Sequence, residues 1–345
     1  MKICIVTVYD SLNSGSFWQA YALKCFLENK GNEVFFLKRN IKDRMNLIIS
    51  HSKKTIGFFL FKGIKSGINK VKINHSFWKL QKNFNTVTYK EAEKMDLIII
   101  GSDTLWNIDD VFFKKNYKLF FGGKFINNKQ ITYAISSANA QTEEVCKLES
   151  LNNYINNFEA ISVRDNKTKS LIKDIYNRKI FEVCDPTFLL EKKDYEKMVI
   201  SNKIKDKYIF LYLFEKLTRE QEVEISKFAK SNNLKIVDGI GGKCKSDYIS
   251  TNTPNNFLEN IYFAEYVITD TFHGTIFSVN LEKNFVAINR NKNKVNEFLD
   301  KVNLTDRLIN EKICDVLKNE VHFNQKLMQE LKNNSIEFLN TILEK

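Results

Sequence analysis

Short, continuously apolar runs alternate with helix-like segments along this chain, and few folds accept that pattern. The runs "KICIVTVY", "EVFFLKR" and "DLIIIGSD" have the character of strands covered on both faces, and "FWQAYALKCFLENKG" between the first two has helical spacing. The same rhythm restarts at "KYIFLYLF" and continues through "LKIVDGI" and "YVITDT". Alternating strands and helices predict a parallel, doubly wound α/β sheet in each half.

Chain length sets the expected number of domains. A chain of 345 residues exceeds the size at which one hydrophobic core usually stops growing, so we expect two domains. We predict a Rossmann-like N-terminal domain over residues 1–190, a second Rossmann-like domain over residues 191–319, and a terminal helix over residues 320–345 that packs back on the first domain.

Two helix ends can be predicted from single residues. Gly31 is the predicted end of the first helix, and Thr218 is the predicted N-cap of the helix that begins after it.

Composition narrows the class of protein. No run approaches 18 consecutive apolar residues, so we expect no membrane-spanning helix. The beginning "MKICIVTVYD" is too short and too strand-like for a signal peptide, which favours a cytoplasmic protein. The six cysteines are scattered without a C-x-x-C pair, so we expect reduced, mostly buried thiols and no metal site.

The net charge of +12 is concentrated in one basic segment, residues 38–82, which holds twelve Lys or Arg residues and a single acid, Asp43. The apolar patches "TIGFFLFKGI" and "HSFWKL" interrupt the lysines. One interpretation is that residues 53–82 contact an anionic partner, either the inner membrane face or a lipid-linked pyrophosphate acceptor. The alternative is a solvated, lysine-rich helical insertion. No nucleic-acid-binding module is visible, so we expect no nucleic-acid partner.

Two strand-to-loop stretches echo each other. The stretches "MDLIIIGSDTLW" and "AEYVITDTFHG" both run from an apolar strand into a short loop rich in Ser, Thr and Asp. Ligands of open α/β sheets bind outside the carboxyl ends of the strands. We therefore expect the two domains to face each other so that both loops border one cleft.

Five stretches, taken in order, point to a known family. They are "NSGSFWQAYAL", "GSDTLWN", "SVRD", "CDPTFLL" and "TDTFHGTIFS". This set resembles the polysaccharide pyruvyl transferase family over about residues 2–310. The resemblance implies a GT-B-like architecture of two Rossmann-like domains. It also implies transfer of a pyruvyl group from phosphoenolpyruvate to two hydroxyls of a cell-surface or exopolysaccharide sugar, forming a ketal and releasing phosphate, with no separate cofactor.

The implied donor site lies around the second loop. His273 suits the acid that protonates the methylene carbon, because an unperturbed histidine has a pKa of about 6.5. Gly274 lets the backbone approach a ligand, and the helix that follows offers free N–H groups to a phosphate. Thr271, Phe272 and Arg290 complete the predicted donor set.

Arg164 is the other predicted catalytic and donor-binding residue. Its guanidinium can hold a phosphate or carboxylate at two points, and arginine is scarce in this chain, with seven against forty-six lysines. The alternative is an ion pair with Asp165 or another acid. Asp185, which precedes Pro186, is interpreted as a turn residue.

The implied acceptor is a sugar or a lipid-linked oligosaccharide. Asn13, Gly15 and Gln19 can shape the acceptor side, and capping of the first helix is their alternative role. Ser102 and Asp103 lie in the "GSD" loop, where Asp103 can orient the acceptor, act as a base, or simply cap a turn. Trp106 can stack on a sugar ring or pack within its loop.

Two other functions stay open. A GT-B-type glycosyltransferase with a nucleotide-sugar donor would need an acid that grips ribose, for which Glu259 and Glu265 are the available candidates. A non-catalytic carbohydrate-binding protein is the third hypothesis, and the presence of both His273 and Arg164 argues against it.

Overall fold

The structure is a computed structural model that describes residues 1–290 and 293–344, and it divides into two compact units. The first unit comprises Met1–Leu189 and the C-terminal segment from Lys332, and the second comprises Leu190–Leu331. Within the described ranges, no helix combines the length and the apolar character that a membrane crossing requires.

The first unit is built on a seven-stranded parallel sheet with the order β3-β2-β1-β4-β5-β6-β7. Both faces are covered, since every residue of β5 and all but the last residue of β4 are buried. Continuous apolar runs, rather than alternating ones, follow from that double coverage. The strands are β1 (Lys2–Val6), β2 (Glu33–Leu37), β3 (Thr86–Val87), β4 (Leu97–Asp103), β5 (Gln130–Ile135), β6 (Ile161–Val163) and β7 (Ile180–Glu182).

Nine α-helices lie between these strands within the described residues 1–189. The first helix ends before Gly31, whose φ of +80° is the left-handed conformation that favours glycine, as predicted. The basic segment forms the second and third helices, which are joined at Gly63. The helices are α1 (Ser14–Asn29), α2 (Ile41–Lys62), α3 (Ile64–Gln81), α4 (Tyr89–Ala92), α5 (Val111–Lys115), α6 (Tyr117–Phe120), α7 (Thr142–Cys146), α8 (Leu151–Asn156) and α9 (Asn166–Ile172).

The second unit has a six-stranded parallel sheet with the order β10-β9-β8-β11-β12-β13. Its strands are β8 (Tyr208–Tyr212), β9 (Lys235–Asp238), β10 (Tyr248–Ile249), β11 (Tyr266–Thr269), β12 (Asn284–Ile288) and β13 (Leu308–Ile309). Its helices are α10 (Lys192–Glu196), α11 (Arg219–Ser231), α12 (Pro254–Phe263), α13 (Phe272–Asn280), α14 (Asn293–Lys301) and α15 (Ile313–Lys318). The predicted N-cap of α11 is confirmed, because Thr218 Oγ1 accepts a hydrogen bond from Gln221 N.

The last helix, α16, spans Gln325–Leu343. It begins later than the predicted residue 320 because Asn324 Oδ1 accepts from Leu327 N at 3.2 Å and so caps its first turn. The part of α16 that belongs to the first unit covers that unit's sheet edge. There, Ser335 Oγ accepts from Cys184 N at 2.8 Å, and the Phe338 ring lies 5.0 Å from the Phe181 ring.

Both sheets have the strand order 3-2-1-4-5-6 of dinucleotide-binding Rossmann sheets, and the first unit adds a seventh strand. The order reverses between β1 and β4 in the first sheet and between β8 and β11 in the second. The two echoing stretches of the sequence therefore supply β4 and β11, the strands on the same side of each reversal. The predicted fold class of two Rossmann-like α/β units is confirmed.

Candidate active site

A closed ring of hydrogen bonds marks the reversal point of the first sheet. Thr7, which follows β1, donates from Oγ1 to the Ser102 carbonyl at 2.9 Å, and Gln19 of α1 donates to Thr7 Oγ1 at 3.1 Å. Ser102 Oγ in turn donates to Gln19 Oε1 at 2.9 Å. Gln19 and Ser102 are both fully buried. Gln19 and Ser102, two of the predicted acceptor residues, thus join α1 to the end of β4. The hydrogen bonds described here are made to other residues of the first unit.

Asp103 lies at the partly open end of this network. Its Oδ2 accepts from Ser16 Oγ at 2.8 Å, and its Oδ1 accepts from Thr104 N at 2.8 Å. The backbone here has positive φ at both Gly101 (+126°) and Asp103 (+86°). A Cβ at Gly101 would lie 2.2 Å from the Tyr133 carbonyl oxygen, so only glycine fits. The turn leaves the Asp103 side chain 15% exposed, within reach of a ligand.

Arg164, which follows β6, is bound to two carboxylates. Its NH1 donates to Asp185 Oδ2 at 2.7 Å, its NH2 lies 3.6 Å from Asp103 Oδ1, and its side chain is only 3% exposed. These contacts support the ion-pair alternative, with Asp185 and Asp103 as the acids. Asp165 instead caps α9 by accepting from Thr168 N at 2.8 Å.

Asp185 is a site residue that the sequence interpretation missed. It does hold the predicted turn, since its Oδ1 accepts from Thr187 N at 3.1 Å and from Thr187 Oγ1 at 2.8 Å. Its other oxygen, however, binds Arg164. The neighbouring Cys184 is chemically quiet, because burial raises the pKa of its thiol to about 11 and keeps it protonated at neutral pH.

Three other predicted acceptor residues have structural roles in the first unit. Trp106 is fully buried, donates from Nε1 to the Phe120 carbonyl at 2.8 Å, and stacks on Phe121 with ring centroids 4.8 Å apart. Its contacts support packing rather than stacking on a sugar. Asn13 caps α1, because its Oδ1 accepts from the backbone N–H of Gly15 at 2.8 Å. For Asn13 and Gly15, helix capping is the alternative role given in the sequence analysis.

The reversal point of the second sheet is held by Thr269 and Asp270. Thr269 Oγ1 donates to the Tyr212 carbonyl at the end of β8, at 2.8 Å. The fully buried Asp270 accepts from Phe214 N at 2.8 Å and from Glu215 N at 2.9 Å, so its carboxylate joins the loops after β8 and β11. Sequence reasoning named neither residue. The signal for both was their position in the "TDTFHG" stretch.

The start of α13 explains the glycine of that stretch. Thr271 is the N-cap, and its Oγ1 accepts from Gly274 N at 2.9 Å. A Cβ at Gly274 would lie 2.2 Å from Thr269 Oγ1 and 2.7 Å from Thr271 Oγ1. Space, rather than backbone conformation, therefore requires glycine here.

His273 occupies the first turn of α13 and is partly exposed, in the strand–turn–helix context that the sequence predicted. Its ring meets the Phe272 ring edge-on with centroids 5.5 Å apart. Phe272 itself is largely buried and packs against Phe298 at 6.2 Å. Phe272 thus packs behind the loop, and His273 is the more exposed residue of the pair, although its Nε2 atom is buried.

Arg290 follows β12, the strand next to β11. Its Nε lies 3.9 Å from Asp270 Oδ2 and 3.6 Å from Glu215 Oε2, and its NH2 donates to the Lys216 carbonyl at 3.0 Å. Arg290 therefore lies at the carboxyl edge of the second sheet, as Thr271 does, and it contacts Asp270, the residue that precedes Thr271. A guanidinium, a helix N-terminus and an imidazole at one sheet edge form a site suited to a small anion.

The acids considered for a ribose contact lie elsewhere in the second unit. Glu265 immediately precedes β11, at the amino-terminal edge of the sheet, and pairs with Lys207 at 3.5 Å. Glu259 pairs with Lys203, a residue ahead of β8, at 3.2 Å. Neither contact belongs to the loop that holds His273. Over the described ranges, no group of three or more His, Cys, Asp or Glu side chains is arranged to hold a metal ion.

Comparisons with solved structures show the fold class. A structure from Listeria monocytogenes, provisionally described as a UDP-N-acetylglucosamine 2-epimerase, is similar with a TM-score of 0.52 and 9% identity, covering 99% of this chain and 95% of that one. The UDP-GlcNAc 2-epimerase of Methanocaldococcus jannaschii is similar with a TM-score of 0.51 and 13% identity, covering 100% of each chain. The same enzyme in complex with UDP-GlcNAc and UDP gives 0.51 and 15%, again covering 100% of each chain. At this identity the likeness shows the GT-B-like α/β fold alone.

Sequence comparison shows the family. A search of curated proteins finds no match to this chain. The family model described as polysaccharide pyruvyl transferase, however, matches residues 13–292, a span that includes both candidate loops and Arg164. The match covers most of the sequence, and the resemblance drawn from the five motifs is confirmed. The chain belongs to the polysaccharide pyruvyl transferase family.

Proposed function

We propose that this protein transfers the pyruvyl group of phosphoenolpyruvate to two hydroxyls of a sugar in a cell-surface polysaccharide or its lipid-linked precursor. The observation that carries the proposal is the loop after β11. In a member of this family, this loop leads into α13, His273 belongs to the capped first turn of that helix, and Arg290 follows the neighbouring strand β12. That combination suits a donor that carries a phosphate and a carboxylate and must be protonated on carbon.

The reaction needs one proton donor and one leaving group. In the proposal, His273 protonates the methylene carbon of the enol, and the electron-poor central carbon accepts the first sugar hydroxyl. The C–O bond to phosphate then breaks, and the second hydroxyl closes the ketal. One hydroxyl proton restores the imidazolium, and the other leaves with the phosphate, so atoms and charge balance.

The remaining residues have supporting roles in this proposal. The first turn of α13 and Arg290 hold the donor anion, and Thr271 and Gly274 fix that turn through the hydrogen bond from Gly274 N to Thr271 Oγ1. Asp103 accepts a hydrogen bond from an acceptor hydroxyl, or takes the proton of that hydroxyl. This role falls to Asp103 because its carboxylate is partly exposed, whereas the Arg164 side chain paired with it is buried. Arg164 is a positioning residue that fixes Asp103 through the charge pair at 3.6 Å.

The test is a phosphate-release assay with phosphoenolpyruvate and a panel of lipid-linked or nitrophenyl glycosides. We expect phosphate release that requires both substrates, and a glycoside product heavier by one pyruvylidene group. A parallel series with nucleotide sugars tests the glycosyltransferase alternative. Nucleotide release in that series, without phosphate release in the first, would refute the pyruvyl transfer.

A further inference from the structure

The α2–α3 hairpin exposes two apolar stripes. On each helix, large apolar side chains recur at spacings of three, four, seven or eight residues, which places them on one face. Those on α2 are Ile41, Met45, Ile49, Ile56 and Leu60, and those on α3 are Ile64, Ile68, Val71 and Trp78, all exposed. Around the connection at Gly63, three neighbouring apolar side chains are strongly exposed, at 72% for Leu60, 86% for Phe61 and 72% for Ile64.

The opposite sides of the two helices already pack against each other and the first unit. A Cβ at Gly67 would lie 2.3 Å from the Phe59 ring, which shows how closely α3 approaches α2. Asn74 donates to Thr55 Oγ1 at 3.0 Å between the helices, and Gln81 donates to the Ser11 carbonyl at 3.0 Å. The stripes are therefore the outer faces of an anchored hairpin.

The positive charge of the hairpin favours an anionic partner for these stripes. The hairpin's one acid, Asp43, is largely buried and lies 3.4 Å from Lys115. Exposed lysines directly follow four of the stripe residues in sequence, which places each one beside the stripe on its helix. They are Lys42, Lys65, Lys72 and Lys79. Long lysine stems let the ammonium groups reach anionic headgroups while their apolar neighbours enter the acyl boundary.

We propose that the α2–α3 hairpin binds the surface of an anionic phospholipid bilayer, with its apolar stripes in the interfacial layer and its lysines on the headgroup phosphates. A second copy of the chain fits this surface poorly, because two cationic faces without exposed acids would repel each other. The inference rests on the hairpin alone and stands independently of the proposed reaction.

The first experiment uses the full chain and vesicles. We expect it to sediment with phosphatidylglycerol–phosphatidylcholine vesicles at low salt, and only weakly with phosphatidylcholine vesicles or at high salt. Trp78 is a built-in reporter, since it is 45% exposed whereas Trp18 and Trp106 are 2% and 0% exposed. Its emission should shift to the blue on binding, and Trp78→Phe should abolish the shift.

Two matched sets of substitutions separate charge from apolar insertion. The first is Lys65→Gln, Lys72→Gln and Lys79→Gln, with Lys205→Gln, Lys227→Gln and Lys230→Gln as its control. The second is Leu60→Ser, Phe61→Ser and Ile64→Ser, with Val111→Ser, Ile200→Ser and Val223→Ser as its control. At about 1 kcal/mol for each lysine, the hairpin lysine set should weaken vesicle binding roughly 100-fold. We expect a comparable loss from the hairpin apolar set and near-unchanged binding from either control set.

Circular dichroism should show that all four variants are folded, because every substituted side chain is exposed. The proposal is overturned if the wild-type chain ignores anionic vesicles, or if the hairpin and control sets behave alike. It is also overturned if the hairpin substitutions abolish a lipid-independent dimer in analytical ultracentrifugation, which would assign the stripes to a second copy.

Discussion

The guanidinium of Arg164 lies 3.6 Å from the carboxylate of Asp103 and 2.7 Å from that of Asp185. One buried cation thus joins the end of β4, the end of β6 and the turn after β7. Because Asp103 also accepts from Ser16 Oγ of α1, four segments of the first unit meet through a few charged or hydroxyl atoms. The candidate acceptor residue is therefore held by contacts that span the carboxyl edge of the sheet.

Breaking the Arg164–Asp185 pair should destabilise the protein strongly. Asp185→Ala removes one partner of a buried charge, which typically lowers the free energy of unfolding by about 3–5 kcal/mol. Glu182→Ala is the matched control, because its pair with Lys169 at 2.6 Å is partly exposed and should contribute at most about 1 kcal/mol. Urea unfolding of both variants measures the difference. Equal losses in the free energy of unfolding would mean that the buried pair stabilises the protein no more than the partly exposed pair does.

Gly274→Ala should impair the loop after β11. The new methyl group would lie 2.2 Å from Thr269 Oγ1, an atom already bonded to the Tyr212 carbonyl, so α13 or the loop must shift. We expect a stability loss of about 1–3 kcal/mol and a fall in turnover of up to about 100-fold. At the control Gly57→Ala, the nearest atom to the new methyl is 4.0 Å away, and helix propensity should add about 0.5–1 kcal/mol. Unfolding curves and phosphate-release rates test both variants, and a Gly274→Ala protein with full activity would contradict the expectation.

His273→Ala should abolish most of the proposed phosphate release. Loss of a positioned acid typically lowers the rate by about 100- to 10,000-fold, while a partly exposed ring contributes little to stability. The exposed His322→Ala is the control for histidine removal in general. Rates and thermal midpoints should be measured on the same preparations. Wild-type rates from His273→Ala would remove the imidazole from the reaction.

Trp106→Phe should separate packing from sugar recognition. An aromatic ring is retained, although it is smaller than the indole. The Phe120 carbonyl loses its Nε1–H donor at 2.8 Å in a buried position, and that loss alone should lower stability by about 1–3 kcal/mol. We expect an unchanged KM for the acceptor, because the ring is fully buried. A raised acceptor KM with unchanged stability would instead favour stacking on a sugar.

Much of the fold could be predicted from local patterns. The continuous apolar runs that became β1, β4, β8 and β11 are readable because strands covered on both faces carry apolar residues at every position. The N-cap at Thr218 could be predicted because a capping hydrogen bond joins residues within one helical turn of each other. The short strands β3, β10 and β13 were not predicted, since two residues carry no periodicity.

The sequence by itself determined two Rossmann-like sheets, a family, and a histidine between a strand and a helix, because hydrophobic periodicity and contiguous motifs are local properties of the chain. Only the tertiary structure decided that Arg164 pairs with Asp185 and Asp103 rather than Asp165. It also decided that Trp106 is buried and that Asp270 joins two strand ends. The physical reason is that the partner of a polar or aromatic side chain depends on which strands become neighbours, and parallel crossovers bring together residues that are far apart in sequence.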